Sequence, residues 1–127
     1  MLNSIFGFRQ QTPVALRGPQ VQTNIQNMTP AQLYEQLQSD EKPFILDVRF
    51  PEEYANDGHI AGSRLLPLPH LRQRVQELPK EKPIVCVCRS GNRSMVACEQ
   101  LAQLGFKDLY NLGGGMISWR SLGLPSQ

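Results

Sequence analysis

The chain is 127 residues long, 40% hydrophobic and 19% charged, with a formal net charge of +2, a balance that fits one globular domain able to bury a core without disulfides or a structural metal. The positive excess is small and its lysines and arginines are scattered, which argues against a nucleic-acid surface. No run approaches the ~20 apolar residues of a membrane span, and residues 1–8 lack the charged flank and long apolar stretch of a secretory signal, so a cytoplasmic protein without membrane contact is expected.

Residues 9–24 are rich in glutamine and show no sustained period. Residues 1–24 are therefore read as a flexible N-terminal arm and 25–127 as the folded domain. Thr29-Pro30-Ala31-Gln32 has the form of a helix start: threonine caps, proline suits the first turn, and Gln32 completes a capping box. Ala31, Leu33, Tyr34 and Leu37 continue it as a helical stripe. Phe44-Ile45-Leu46-Asp47-Val48 is a short apolar run of the kind that forms a strand buried on both faces. Pro51-Glu52-Glu53-Tyr54 opens a short helix, its acids placed where the helix dipole favours them. Arg64 to Leu68 is predicted as a strand, at an edge or ending early because of Pro67. Leu71, Val75 and Leu78 lie at helical spacing, and Ile84-Val85-Cys86-Val87 is a second strongly buried strand. Met95, Val96, Cys98, Leu101, Ala102 and Leu104 mark a helix that Gly105 stops. Leu109 to Leu112 is a further strand, and Gly113-Gly114-Gly115 turns into a last helix carrying Trp119. Strands alternating with helices select an α/β domain of mostly parallel strands with helices on both faces. Ligands in such domains sit beyond the carboxyl ends of the strands, which directs attention to the loop after Val87.

That loop reads Cys88-Arg89-Ser90-Gly91-Asn92-Arg93-Ser94. Three cysteines with no Cys-x2-Cys spacing and no clustered histidine exclude a disulfide framework and a zinc site, so no metal is expected and the chemistry falls to one thiol. Cys86 lies inside an apolar strand and Cys98 on an apolar helical stripe, so both are read as packing. Cys88 ends its strand facing a loop in which Gly91 permits unusual backbone angles and Ser90 and Asn92 offer hydrogen bonds. Backbone N–H groups and a helix N-terminus converging on Cys88 would lower its pKa and make it a nucleophile that needs no general base. Arg89 and Arg93 are expected to attract an anionic donor. Asp47, Arg49 and Glu53 are read as structural support, with Asp47 anchoring the strand end or the active loop and Arg49 paired to Glu53. His59 is expected to be a hydrogen-bonded structural histidine, and Tyr110 and Trp119 to be core. Gly113 to Gly115 lack the Lys-Ser/Thr of a phosphate loop.

Leu46-Asp47-Val48-Arg49, Pro51-Glu52-Glu53-Tyr54, Gly58-His59-Ile60-Ala61-Gly62-Ser63, the Cys88 loop and Gly113-Gly114-Gly115-Met116-Ile117-Ser118-Trp119 follow one another in an order and spacing that resembles the rhodanese-like domain. The resemblance covers roughly residues 25–125. It implies a three-layer α/β fold around a five-stranded, mainly parallel sheet. It implies a sulfurtransferase without a cofactor, whose Cys88 takes sulfane sulfur as a persulfide from thiosulfate or another persulfide and passes it on. The implied acceptor is cyanide or a thiol such as thioredoxin, glutathione or a sulfur-carrier protein. On this reading Cys88 is catalytic, and Arg89, Ser90, Gly91, Asn92 and Arg93 hold the substrate. Two other readings compete with it. A cysteine phosphatase or arsenate reductase also sets a thiolate in an anion-binding loop, but needs Cys-x5-Arg; here Ser94 holds that place and Arg93 comes one residue early. A non-catalytic interaction or regulatory module of the same fold is expected most where the cysteine is missing, and here it is present.

Overall fold

The computed structural model describes residues 24–127, and within them the apolar runs become one five-stranded sheet in the order β1-β5-β4-β2-β3. The strands are β1 (Asn24–Met28), β2 (Phe44–Asp47), β3 (Arg64–Leu65), β4 (Ile84–Val87) and β5 (Asp108–Leu112), and every pairing is parallel. Between them run α1 (Pro30–Leu37), α2 (Pro51–Asn56), α3 (Asn92–Gln103) and α4 (Gly115–Ser121), with two 3₁₀ segments at Leu68–His70 and Arg72–Glu77. The expected arm lies outside the described residues, apart from Asn24, which begins β1.

Alternation along the central strand sorts the core into two layers, because successive side chains in a strand point to opposite faces. Cys86 and Cys88 pack with Ala97, Cys98 and Leu101 of α3, and with Leu71 and Leu78 of the 3₁₀ region. Val85 and Val87 face the other way, against Leu33 of α1 and Met116 and Trp119 of α4. β4 is buried at every position, as a central strand covered on both faces must be.

Local signals account for most of the boundaries. The Thr29 hydroxyl accepts from the Gln32 N–H at 3.1 Å, and the Gln32 side chain accepts from the Thr29 N–H at 2.9 Å, the reciprocal capping box. β1 is not predicted by the hydrophobic pattern, because Gln26 and Asn27 are exposed on this edge strand and only Met28 is fully buried. The strand expected over Arg64–Leu68 pairs with β2 only through Arg64 and Leu65 before Pro67 ends it. Leu71, Val75 and Leu78 sit on 3₁₀ turns. Val96, expected on the core stripe of α3, is 41% exposed, since it lies on the solvent side of the helix that buries Ala97, Cys98 and Leu101.

Strand order also fixes where the site must be. From β2 the chain moves outward to β3, while from β4 it moves the opposite way to β5, so the connections diverge between β2 and β4. A crevice opens at the carboxyl ends of strands where this happens. Asp47 closes β2 there and Cys88 follows β4 immediately.

Candidate active site

The chain after β4 curls back so that Cys88 lies at the base of a cup made by its own loop. The Gly91 N–H donates to Cys88 Sγ at 3.1 Å and the Ser94 N–H at 3.3 Å. The Ser94 hydroxyl stands 3.2 Å from the same sulfur. Gly91 adopts φ +105° at the start of α3, a conformation that side chains other than glycine rarely accept, and this turn aims the N–H groups inward. Burial pushes the Cys88 thiol up, but hydrogen bonds from the Ser94 hydroxyl and from the N–H groups of Ser94, Gly91 and Ser90 outweigh it and hold the pKa below that of an ordinary cysteine. Arg93 interacts with the same sulfur through its charge and makes no hydrogen bond to it.

Cys86 goes in the opposite direction. The neighbouring Cys98 thiol, and then burial, push its thiol well above the ordinary value. Cys98 itself is buried and donates to the Tyr110 carbonyl at 3.4 Å. All three cysteines are free and buried, yet only Cys88 is surrounded by donors. Among the described residues no group of His, Cys, Asp or Glu side chains comes together as a metal site.

The charged residues are arranged differently from the sequence reading. Arg49 does not pair with Glu53. Its guanidinium forks onto Asp47, Nε to Oδ1 at 2.9 Å and Nη2 to Oδ2 at 2.8 Å, and also donates to the Gly58 carbonyl at 2.8 Å. The two side chains are each 1% exposed, so Asp47 and Arg49 form a buried fork beside the start of the Cys88 loop. Two residues on, the chain has turned into α2, and Glu53 reaches instead to Arg93 through bonds of 2.8 and 2.7 Å. The Arg93 hydrogen bonds are the main reason that the Glu53 carboxyl falls to about 2. Arg93 is thus a clamp between α2 and α3, its charge already answered by a carboxylate. Arg89, Ser90 and Asn92 are exposed on the loop, and Arg89 has no side-chain partner among the described residues. His59 binds the Tyr54 carbonyl through Nδ1 at 2.9 Å and stacks on the Tyr54 ring with centroids 3.7 Å apart.

Two parts of the site were not anticipated. Ser94 is fully buried and bonds to Asn111 Oδ1, while Asn111 Nδ2 donates to the Gly91 carbonyl at 3.1 Å. Period-two alternation places Asn111 on the α3 side of β5 with Leu109, so a polar residue at a core-facing register was the available signal. The second part is the glycine turn. The Met116 N–H donates to the Cys88 carbonyl at 2.9 Å and the Ile117 N–H to the Arg89 carbonyl at 3.0 Å. A Cβ on Gly115 would lie 2.5 Å from both of those carbonyl oxygens. The start of α4 therefore buttresses the back of the cup, and only glycine lets it come so close.

The model of the rhodanese-like domain matches residues 29–122. The chain belongs to the rhodanese-like domain family. Its rhodanese-like fold superposes on a rhodanese-related protein from Thermoplasma volcanium with a TM-score of 0.73 and 35% identity, covering 80% of this chain and 97% of that one. Among curated rhodanese relatives, a sulfurtransferase of Allochromatium vinosum is 40% identical over 93 residues, which is 73% of this chain and 86% of the relative. The thiosulfate sulfurtransferase GlpE of Pseudomonas paraeruginosa is 38% identical over 78 residues, 61% of this chain and 70% of the relative. These relatives make it a rhodanese-like sulfurtransferase family. No helix among the described residues of this member is long and apolar enough to cross a membrane.

Proposed function

We propose that this protein is a sulfurtransferase that carries sulfane sulfur as a persulfide on Cys88. The observation that supports it most is the convergence of two N–H groups and one hydroxyl on a single thiol, in a chain whose other two cysteines lack that environment. With thiosulfate as donor, the Cys88 thiolate attacks the outer sulfur, the bond between the two thiosulfate sulfurs breaks, and sulfite leaves with the electron pair. The product is a persulfide whose outer sulfur carries the negative charge. An acceptor nucleophile, either cyanide or a thiolate, then attacks that outer sulfur. Thiocyanate or an acceptor persulfide forms, and Cys88 leaves as a thiolate in the cup that stabilises it. No step needs a general base, because the nucleophile is generated by its surroundings.

Donor binding is assigned to the loop from Arg89 to Arg93, with unequal parts. The exposed cation Arg89 draws in a dianion, while Arg93 holds the loop to α2. That commitment, together with Ser94 at the sixth position after Cys88, argues against phosphatase chemistry, which needs an arginine free to clasp a tetrahedral oxyanion. The acceptor on this reading is a thiol, on glutathione, thioredoxin or a sulfur-carrier protein; one relative is named as a putative sulfur carrier protein. The three free thiols fit a reducing compartment such as the cytoplasm.

The test is steady-state turnover of thiosulfate and cyanide by the parent protein and three variants. Cys88→Ser is expected to abolish it, while Cys86→Ala and Cys98→Ala keep most of it. Turnover surviving in Cys88→Ser would defeat the proposal. A silent parent whose Cys88 alkylates like an ordinary thiol would favour the interaction module.

A further inference from the structure

Ser94 has one hydroxyl proton and two neighbours that can accept it. Ser94 Oγ lies against Asn111 Oδ1 on one side and Cys88 Sγ on the other. The amide is oriented by its own bond, since Nδ2 donates to the Gly91 carbonyl and a flipped side chain would set two oxygens together. Its carbonyl oxygen cannot donate, so the bond between Asn111 and Ser94 must use the Ser94 hydroxyl proton. Both residues are buried, Ser94 at 0% and Asn111 at 5% exposure. The same proton cannot also serve Cys88. While it rests on Asn111, Ser94 can only accept from Cys88, which requires the sulfur to be a protonated thiol.

We infer that Asn111 is a positioning residue that competes with Cys88 for the Ser94 proton, so that the hydroxyl turns toward the sulfur when Cys88 ionises and back to Asn111 when the sulfur becomes neutral. This deepens the proposed reaction and rests on it, because the sulfur bonded to the Cys88 side chain is charged as a thiolate and uncharged in the persulfide. In the thiolate, Ser94 donates to Sγ and the Asn111 carbonyl is left without its donor. In the persulfide the charge has moved to the outer sulfur, Sγ accepts only weakly, and Asn111 recovers the proton. Asn111 thus disfavours the thiolate relative to the loaded state and helps to keep sulfur on the enzyme until an acceptor arrives. The other ionisable groups around Cys88 are Arg93 of α3, held by Glu53 of α2, Cys98 of α3, Cys86 of β4, and the Asp47–Arg49 fork at the end of β2, with Arg89 exposed on the loop itself. The side-chain bonds of Asn111 go to Ser94 and Gly91 and to none of these.

The competition predicts a sign that a purely architectural role does not. Asn111→Ala frees the hydroxyl and is expected to lower the Cys88 pKa by about one unit, a tenfold gain in the thiolate-to-thiol ratio. Ser94→Ala is expected to raise it by about as much. In the Ser94→Ala background, Asn111→Ala should leave the pKa where it is. If Asn111 merely braces the loop through Gly91, its loss slackens the N–H cup and raises the pKa in both backgrounds. The readout is the pH profile of the iodoacetamide alkylation rate, in Cys86→Ala/Cys98→Ala protein so that one thiol reports. Should Asn111→Ala fail to fold, the parent answers the question through the ¹³Cγ resonance of Asn111. That signal should move with the Cys88 titration and return toward its thiol-state position in the thiosulfate-treated, persulfidated protein. A rise in pKa on Asn111→Ala, an additive double variant, or a resonance that ignores the state of Cys88 each overturns the inference. Absence of a persulfide by mass is a separate failure, of the transfer reaction, and leaves the alkylation cycle interpretable.

Discussion

Replacing Glu53 with glutamine separates the two uses that the fold makes of charge near Cys88. The substitution keeps the side chain's shape but removes the carboxylate that receives two bonds from Arg93, at 2.7 and 2.8 Å. The carboxyl sits at about 2 against an ordinary 4.5, which taken alone corresponds to about 3 kcal/mol of stabilisation at neutral pH. Solvent reaches the pair, with Arg93 33% and Glu53 23% exposed, and screening leaves an expected contribution of about 1 kcal/mol. The folded-state pKa is depressed, so this stability is fully present above about 4.5 and is lost as the pH falls toward 2. Glu53→Gln should therefore melt about 4 °C lower at pH 7 and converge with the parent near the acid end of that window. Melting followed by the fluorescence of Trp119, the single tryptophan and a buried one, at several pH values between those limits reads this directly. Turnover should respond as well. With its partner neutral, Arg93 presents an uncompensated charge near Cys88, so the rate with thiosulfate should rise and depend more steeply on salt. Variant and parent curves that stay parallel from neutral pH to the acid limit would refute the clamp.

Arg49→Ala strips the partner from the buried Asp47 and should cost about 3–5 kcal/mol, measured by urea denaturation, whereas Asp47→Asn/Arg49→Met together should cost less than Arg49→Ala alone. Gly115→Ala drives a methyl group into the carbonyls of Cys88 and Arg89 and adds backbone strain at φ +60°. It should cost at least about 2 kcal/mol and most of the sulfurtransferase turnover, while Gly123→Ala, at φ +72° with open space around it, changes only stability. Arg89→Ala should lower kcat/KM for thiosulfate several-fold and flatten its salt dependence with little change in melting temperature, because the side chain is exposed and has no partner among the described residues.

The parts of the fold that could be read ahead of the structure are those written in local chemistry. The capping box at Thr29, the apolar runs of β2 and β4, and the glycine after α3 each carry their signal within a few residues. β1 carries little, because an edge strand with Gln26 and Asn27 exposed has no buried face to display as a period. The Cys88 loop was legible for the same local reason: a thiol at a strand end, a glycine immediately before a helix start, and polar side chains between them. Pairings across elements were not legible. Arg49 has Glu53 one helical turn away in sequence, but the chain turns between them, so Arg49 folds back on Asp47 while Glu53 meets Arg93 forty positions further on. Ser94 and Asn111 likewise meet only because α3 packs on β5. Asn111 could have been marked as a polar residue at a core-facing position, although its partner could not have been named.

Transfer through Cys88 requires one sulfur atom held on one residue, and intact-protein mass spectrometry with peptide mapping detects it. After incubation with thiosulfate and removal of the excess, the parent protein should gain the mass of a single sulfur, located on Cys88. Dithiothreitol should remove it, and Cys88→Ser protein treated alike should gain nothing. A sulfur found on Cys86 or Cys98, or a parent whose mass does not change while its Cys88 remains reduced and alkylatable, would contradict the account.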